Sequence, residues 1–370
     1  MRTPVLARVP GQDAAMAFLD GAAERPHHAY VLAGPEGSGK SLAARAFAAA
    51  MLCKHGGCGD CRDCRLALED HHPNEFHVEP EGRDIHVDTI RDEVWTPASR
   101  TAPEPGRKVF VIREADRLSP AAADTLLKVL EEPPADAIFL LMSARAHELP
   151  DTILSRCHVV TFTALSEWFV VEVLTGEDVP EVRARLAARL AGGNLGRARR
   201  LAVAEDGLRF RDAAREAVIH AAEGPPGALD AAGVVLDAAA GYKKNLKAEL
   251  DEELAPFLDE RGRPEDAYRG AIKKIQTRFQ RRERRAERDY VDWVLLGVSS
   301  LLRDRIASAV GAGDTRMNPD LPPDERLSVA RAARGLAGIE EARAELAEDL
   351  NLNTRLVLER AFLRLAEIAA

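Results

Sequence analysis

Short apolar runs alternate with amphipathic stretches between residues 28 and 165. The runs predict buried strands, and the stretches with apolar residues every three or four positions predict helices. Strand character is clearest in HAYVLAG, EFHVEP, KVFVI, AIFLLMSA and HVVTF. Because strands alternate with helices, the pattern indicates a parallel α/β sheet with helices on both faces.

The helical segments have recognisable ends. In SPAAADTLLKVLEEPP, Ser119 is a predicted N-cap, Pro120 fits the first helical position and the Pro-Pro pair stops the helix. Strand signals vanish after about residue 165, where only helical patterns follow. We therefore predict an α/β core over 1–165, a small helical lid over 166–205 and an all-α domain over 206–370.

Composition narrows the functional class. Hydrophobic residues make up 46% of the 370 residues, and the net charge is −9. This acidic balance argues against a protein that coats nucleic acid through bulk charge. The N-terminal segment has no apolar stretch of signal-peptide length, and no stretch reaches the ~20 apolar residues of a membrane span. The expected location is cytoplasmic.

GPEGSGKS, residues 34–41, fits the phosphate-loop pattern GxxxxGK[ST]. Gly34, Gly37 and Gly39 let backbone N–H groups curl around phosphate oxygens. Lys40 is placed to reach the β- and γ-phosphates, and Ser41 to offer a hydroxyl to Mg²⁺. The loop follows a predicted strand and opens a predicted helix, so ATP/Mg²⁺ binding is expected. A degenerate loop kept for the fold is the alternative.

Four of the five cysteines lie in CKHGGCGDCRDC, at Cys53, Cys58, Cys61 and Cys64. In a reducing compartment, such a tight cluster indicates a metal site. Four thiolates complete a tetrahedral Zn²⁺ shell and leave no position for water, so a structural zinc is predicted. Free thiols, or His55 in place of one cysteine, are the alternatives.

The sequence resembles the AAA+ clamp-loader subunits of bacterial DNA polymerase III, above all the delta-prime type, which is related to gamma/tau. The resemblance rests on HAYVLAGPEGSGKS, the cysteine cluster, VDTIRDEV, KVFVIREADRLSPAAADTLLKVLEEPP and LPDTILSRC. It is strong over 1–205. Over 206–370 it is architectural, with a local match in NLNTRLVLERAFLRL.

The resemblance implies a role in DNA replication, at nucleoid replication forks. Such subunits join the gamma/tau and delta subunits in a hetero-pentamer through a C-terminal collar, here residues 206–370. The complex opens the sliding clamp with ATP and places it on primed DNA. The chain is thus expected to be a component of a DNA polymerase holoenzyme, with a weak or absent ATPase of its own.

The sequence departs from the family pattern at Arg113 and at Asp124. Arg113 stands where an acidic residue is expected to assist Mg²⁺, whereas Glu114 aligns with the glutamate that polarises water. Added positive charge there opposes metal placement and therefore hydrolysis. Alternatively, Arg113 turns away and Asp116 or Glu114 compensates, which would suit an ATP-hydrolysing gamma/tau-like motor. Asp124 stands where the family often has Asn.

The resemblance also assigns roles to isolated residues. Ser143 falls where AAA+ proteins sense the γ-phosphate, and Arg197 where a second sensor reaches from the lid. Arg156, in SRC, is expected to act in trans on the nucleotide of a neighbouring subunit. A structural arginine that caps its own helix is the alternative. In the family, one segment packs near the adenine of the bound nucleotide. Three further residues resemble that segment: Val9, Gly11 and Gln12.

RFQRRERRAERD, residues 278–289, holds six arginines. Contact with DNA phosphates is one interpretation. A solvated collar helix, with arginines paired to Glu283 and Glu287, is favoured because no aromatic platform interleaves with the run.

Overall fold

The computed structural model describes residues 3–80, 84–203, 209–255, 269–348 and 352–367. Backbone contacts divide the chain into two compact units, Met1–Arg199 and Arg200–Ala370. Each unit is described by itself. The three-domain division predicted from the sequence stays a prediction.

The described part of the first unit forms one sheet with flanking helices. Its strands are β1 Ala29–Ala33, β2 Glu75–Val78, β3 Lys108–Ile112, β4 Ala137–Ser143 and β5 His158–Thr161. Its helices up to the last strand are α1 Asp13–Glu24, α2 Lys40–Leu52, α3 Arg62–Leu68, α4 Val87–Ile90, α5 Thr96–Ser99, α6 Pro120–Glu131 and α7 Asp151–Leu154. The predicted alternation of strands and helices is confirmed.

The five strands are all parallel, in the order β2-β3-β4-β1-β5. Because the strands are parallel, their carboxyl ends meet at one edge, where ligands of open α/β sheets usually bind. Ala33 at the end of β1 pairs with Ser143 at the end of β4. This carboxyl edge collects the predicted nucleotide-site residues that follow β1, β3 and β4.

Side chains that alternate across the strands build a core on each face of the sheet. On one face Tyr30 packs edge-on against Phe47 of α2, with ring centroids 5.0 Å apart. On the other face Phe110 stacks on Phe139 at 5.0 Å. Both faces are therefore covered, as the continuous apolar runs predict.

The helical segment that begins at Val87 is irregular. Between α4 and α5 it widens to a π-helical stretch, Arg91–Trp95. Pro97 lies just beyond this stretch and has no N–H to donate, which accounts for the local change in hydrogen bonding.

Among the described residues after β5, the regular elements are helices. The described ones are α8 Glu167–Gly176, α9 Glu181–Ala191, α10 Leu195–Val203, α11 Arg209–Ala222, α12 Pro225–Leu254, α13 Arg269–Ala309, α14 Val329–Glu348 and α15 Thr354–Ala366. In the second unit Phe210, Val294 and Phe362 are buried. No helix in the described ranges combines the length and apolar character needed to cross a membrane.

Candidate nucleotide and metal sites

The candidate phosphate-binding loop, residues 34–41, leads from β1 into α2 at the carboxyl edge. Gly37 and Gly39 have φ angles of +71° and +96°, which residues with a Cβ rarely adopt. Helix α2 begins at Lys40, so the unpaired amides of its first turn lie at the end of the loop. The backbone therefore has the form that phosphate binding requires.

Lys40 is folded back onto its own loop. Its Nζ donates to the carbonyl oxygens of Gly34 and Pro35, the latter at 2.7 Å. Burial lowers the pKa of Lys40, while the carboxylates of Glu36 and Asp116 act in the opposite direction. The ammonium must exchange carbonyl partners for phosphate oxygens if nucleotide enters the loop.

A buried amide ties the loop to the chain that follows β5. Gln12 is 5% exposed. Its Nε2 donates to the Ser38 carbonyl at 2.9 Å and to the Thr163 carbonyl at 2.7 Å, and the Thr163 N–H donates back to its Oε1 at 3.2 Å. Val9 is buried nearby in the sequence. Gln12 thus holds the loop in place, and its predicted position near adenine stays a prediction.

The chain after β5 packs closely against Gly11 and against Gly37 of the loop. A Cβ on Gly11 would lie 2.8 Å from Phe169 of α8, and a Cβ on Gly37 would lie 1.9 Å from Asn194. Asn194 also accepts the N–H of Arg197, in the first turn of α10. Asn194, which carries no motif of its own, therefore contacts the loop. The predicted sensor role of Arg197 stays a prediction.

Arg113 is paired with two carboxylates. Its Nη2 lies 2.9 Å from Asp70 Oδ2, and its Nε lies 3.1 Å from Glu79 Oε1. Arg45 binds both oxygens of Asp70. Burial raises the pKa of Asp70, but the hydrogen bonds from Arg45 and the charges of both arginines outweigh burial and lower it. The charge of Arg113 is thus balanced by Asp70 and Glu79, which the sequence did not single out. Compensation by Asp116 or Glu114 stays a prediction.

The two acidic residues after β3 have different surroundings. Glu114 has a φ of +50° and its Oε2 lies 3.1 Å from Arg117 Nε. The side chain of Asp116 is 6% exposed, and its Oδ1 accepts the Ser143 hydroxyl at 2.8 Å and the Ala144 N–H at 3.3 Å. The hydroxyl proton of Ser143 is therefore directed to Asp116, and a role for Ser143 as γ-phosphate sensor stays a prediction.

Arg156 joins the two most diagnostic sequence segments. Its Nη2 donates to Glu131 Oε1 at 2.7 Å, at the end of the LEEPP helix α6. Its Nη1 donates to the Thr152 carbonyl at 2.9 Å and to the Ser155 hydroxyl at 3.3 Å. In this isolated chain the guanidinium caps its own short helix, and it remains 35% exposed.

The four clustered cysteines converge. The Sγ–Sγ distances are 3.8 Å for Cys53–Cys58, 3.6 Å for Cys53–Cys61 and 4.0 Å for Cys58–Cys64. A tetrahedron with Zn–S bonds of about 2.3 Å has edges of about 3.8 Å. The thiols thus fit a zinc shell, and His55 is not among the group of possible ligands.

Backbone amides support thiolate charge in this cluster. The Gly59 N–H donates to Cys64 Sγ at 3.3 Å, and the Cys64 N–H donates to Cys61 Sγ at 3.4 Å. N–H groups of Asp60 and Cys61 lower the pKa of Cys58 to about 6, whereas burial raises the pKa of Cys64. Because the deeper thiol resists ionisation by itself, a bound cation is the natural counterpart of four thiolates.

The arginine-rich segment lies within helix α13. Most of its arginine side chains, those at 278, 281, 282, 284 and 285, lie outside the described residues. Of the two predicted acidic partners, Glu287 lies 4.0 Å from Lys243. Contact between this run and DNA stays untested.

Comparisons with known proteins find similarity in the α/β region of the chain. A family model described as "DNA polymerase III, delta subunit" matches residues 12–166. DNA polymerase III subunit delta' of Pseudomonas aeruginosa is 42% identical over 154 residues, which is 40% of this chain and 46% of that protein. The Bacillus subtilis delta' subunit is 34% identical over 173 residues, which is 45% of this chain and 51% of that protein.

A second kind of subunit is also similar. Subunit tau of B. subtilis is 34% identical over 151 residues, which is 39% of this chain and 26% of that protein. The chain spans about half the length of the first delta' relatives that it matches. Over residues 12–166, this chain is therefore similar to the delta and delta' subunits of DNA polymerase III.

Proposed function

We propose that the chain works as the delta' subunit of a clamp-loader complex and helps to place the sliding clamp on primed DNA. Its partners are gamma/tau and delta subunits in a hetero-pentamer, assembled through the helical region 206–370. The similarity to delta' over residues 12–166 supports this assignment.

The carboxyl edge is proposed to bind ATP with Mg²⁺. Residues 34–41 provide backbone amides and the Lys40 ammonium for the phosphates, and Ser41 provides a hydroxyl for the metal. Ser143 and Arg197 are proposed to report on the γ-phosphate. A Mg²⁺ ion bound with the nucleotide would neutralise the charge that develops on the phosphates. The support is the glycine-built loop at the start of α2.

Hydrolysis by this chain alone is proposed to be slow. A general base needs a carboxylate within hydrogen-bond reach of the attacking water. Glu114, the residue aligned with that role, is paired with Arg117. Arg113 directly follows strand β3, where a carboxylate is expected, and it is paired with Asp70 and Glu79. Both contacts favour a subunit that holds nucleotide over an efficient motor.

Arg156 is proposed to serve the nucleotide of a neighbouring subunit. The observation that carries this proposal is its exposed setting: the guanidinium is 35% exposed, and its partner Glu131 is 50% exposed. An exposed ion pair of this kind contributes only about 0–1 kcal/mol. Arg156 can therefore exchange Glu131 for phosphate oxygens at low cost, and a guanidinium stays charged and forked for that contact.

Cys53, Cys58, Cys61 and Cys64 are proposed to hold one structural Zn²⁺. The support is the match between their Sγ separations and a tetrahedral shell. With four thiolates bound, no coordination site is left for a substrate.

Reconstitution with the other loader subunits tests the proposal. We expect clamp loading to require this chain, and Arg156→Ala to assemble normally with zinc but to lose most clamp- and DNA-stimulated ATP hydrolysis at the neighbouring site. An arginine supplied in trans contributes roughly 10³–10⁵ in rate in other phosphoryl-transfer systems. Wild-type loading by the variant complex would leave the chain as a scaffold alone.

A further inference from the structure

The carboxyl edge lacks an acidic residue at the usual place, the end of β3. Arg113 is there instead, with its guanidinium held by Asp70 and Glu79. The next residue, Glu114, is turned by its left-handed backbone toward Arg117. Neither position offers a carboxylate to a metal ion beside the phosphates.

Asp116 lies two residues after Glu114 and contacts the carboxyl edge at Ser143, the last residue of β4. Its Oδ1 accepts the hydroxyl of Ser143. The carbonyl of Ser143 in turn accepts the N–H of Gly34 at 3.1 Å, and the carbonyl of Gly34 accepts Lys40 Nζ. A continuous series of hydrogen bonds therefore connects this carboxylate to the phosphate loop.

The second oxygen of Asp116 has a loosely held partner. Its Oδ2 lies 3.5 Å from Arg145 Nη2, beyond ordinary charge-assisted hydrogen-bond length. Arg145 has a closer partner in Glu148, at 2.9 Å, and is 42% exposed. The negative charge of Asp116 also acts on the Lys40 ammonium, whose pKa it raises against the larger effect of burial.

We propose that the carboxylate of Asp116 holds the Mg²⁺ that enters the phosphate loop with ATP. Asp116 would thus take the role that an acidic residue at the position of Arg113 usually has. This inference rests on the proposed nucleotide binding. Carboxylate oxygens are the protein ligands that Mg²⁺ prefers, and one or two of them are usual beside nucleotide phosphates.

The test measures affinity for a fluorescent ATP analogue, with excess MgCl₂ and with EDTA. For wild type we expect Mg²⁺ to tighten binding by about tenfold or more, and for Asp116→Asn by less than about twofold. In EDTA, Asp116→Asn should bind at least as tightly as wild type, because a carboxylate no longer faces the metal-free phosphates. Impaired folding alone would weaken binding in both buffers.

Three further variants complete the test. Asp116→Glu restores the charge and should recover the Mg²⁺ gain. Asp124→Asn is the same change on an exposed position of α6 and should behave like wild type. Asp116→Ser keeps an oxygen for the Ala144 N–H and should lose the Mg²⁺ gain, so it supplies a second charge-free variant if the asparagine packs badly.

Each outcome decides the matter. A tenfold Mg²⁺ gain in folded Asp116→Asn or Asp116→Ser would overturn the role of Asp116. Wild-type binding that does not respond to Mg²⁺ would overturn it as well, and would leave nucleotide binding itself intact. If wild type binds the nucleotide in neither buffer, the proposed nucleotide site fails and this inference fails with it.

Discussion

The cysteine cluster and the end of β3 belong to the same unit but are built in different ways. The cluster draws its four thiols and its N–H donors from residues 53–64. Arg113 instead pairs with Asp70, 43 residues away in sequence, and Asp116 pairs with Ser143, 27 residues away. The first site is set by local spacing, and the second depends on the order of the strands.

The two regions also differ in how their charge is balanced. The cluster gathers four thiols, and as four thiolates they would need an external cation to balance their charge. The carboxyl edge already contains the cations Lys40, Arg45 and Arg113, each held by oxygen atoms of the protein. Loss of the proposed Zn²⁺ should therefore damage folding at the cluster. Loss of one of the three basic side chains at the edge should chiefly alter ligand binding or local stability.

The largest effect is expected for loss of zinc. Purified protein should contain about one Zn²⁺ per chain, and Cys61→Ser should lose it and unfold at a markedly lower temperature, since site formation and folding are coupled. Elemental analysis and thermal melting measure both. His55→Ala should keep the metal. Unchanged melting of metal-free protein would mean that the cluster does not stabilise the fold.

Loss of the loop cation should come next. Lys40→Ala should weaken binding of ATP by about 100-fold, because it removes a charge-assisted contact of up to roughly 3 kcal/mol. Titration with a fluorescent nucleotide measures this. Lys128→Ala, on the exposed face of α6, is the matched control. Equal affinity for the two variants would show that the loop does not use its lysine.

Arg113 should matter for stability more than for catalysis. Arg113→Ala should lower the free energy of unfolding by about 1–3 kcal/mol, since it leaves the half-buried Glu79 and Asp70 with one cation fewer. Arg113→Asp should destabilise further by repulsion and should still hydrolyse ATP slowly. Denaturant unfolding and a turnover assay measure the two effects. Fast turnover by Arg113→Asp would show that Arg113 alone blocks hydrolysis.

The smallest effect concerns pH. The pKa of Asp70 is lowered in the folded chain below its ordinary value of 3.8, so its stabilising contribution is complete above that value. The contribution is lost as the pH falls through the lowered pKa. The difference in unfolding free energy between wild type and Asp70→Asn should therefore shrink from pH 6 to pH 3. A difference that is constant with pH would mean that Asp70 is not held as a carboxylate.

Features fixed by local spacing were predictable from the sequence. The alternating strands and helices, the glycine loop at the start of α2 and the convergence of Cys53 with Cys64 all follow from short patterns. Such patterns specify backbone conformation or a ligand set within a few residues, so they need no knowledge of the rest of the fold.

Contacts between distant segments were not predictable in the same way. Adjacent β2 and β3 bring Glu79 and Asp70 to Arg113, and no motif in the sequence pairs them. Asp70 also adopts a φ of +60° without being glycine. The approach of Asn194 to Gly37 is likewise a tertiary contact. These contacts decide which charges lie near the phosphate loop.

We propose that the chain contributes an arginine to the nucleotide of its neighbour more than it hydrolyses ATP itself. The most direct measurement is steady-state, DNA- and clamp-stimulated ATP turnover of the reconstituted complex that carries either Arg156→Ala or Lys40→Ala in this chain. We expect a severe loss of turnover with Arg156→Ala and a small loss with Lys40→Ala. The opposite order, with Lys40→Ala severe and Arg156→Ala mild, would contradict it and identify the chain as a motor.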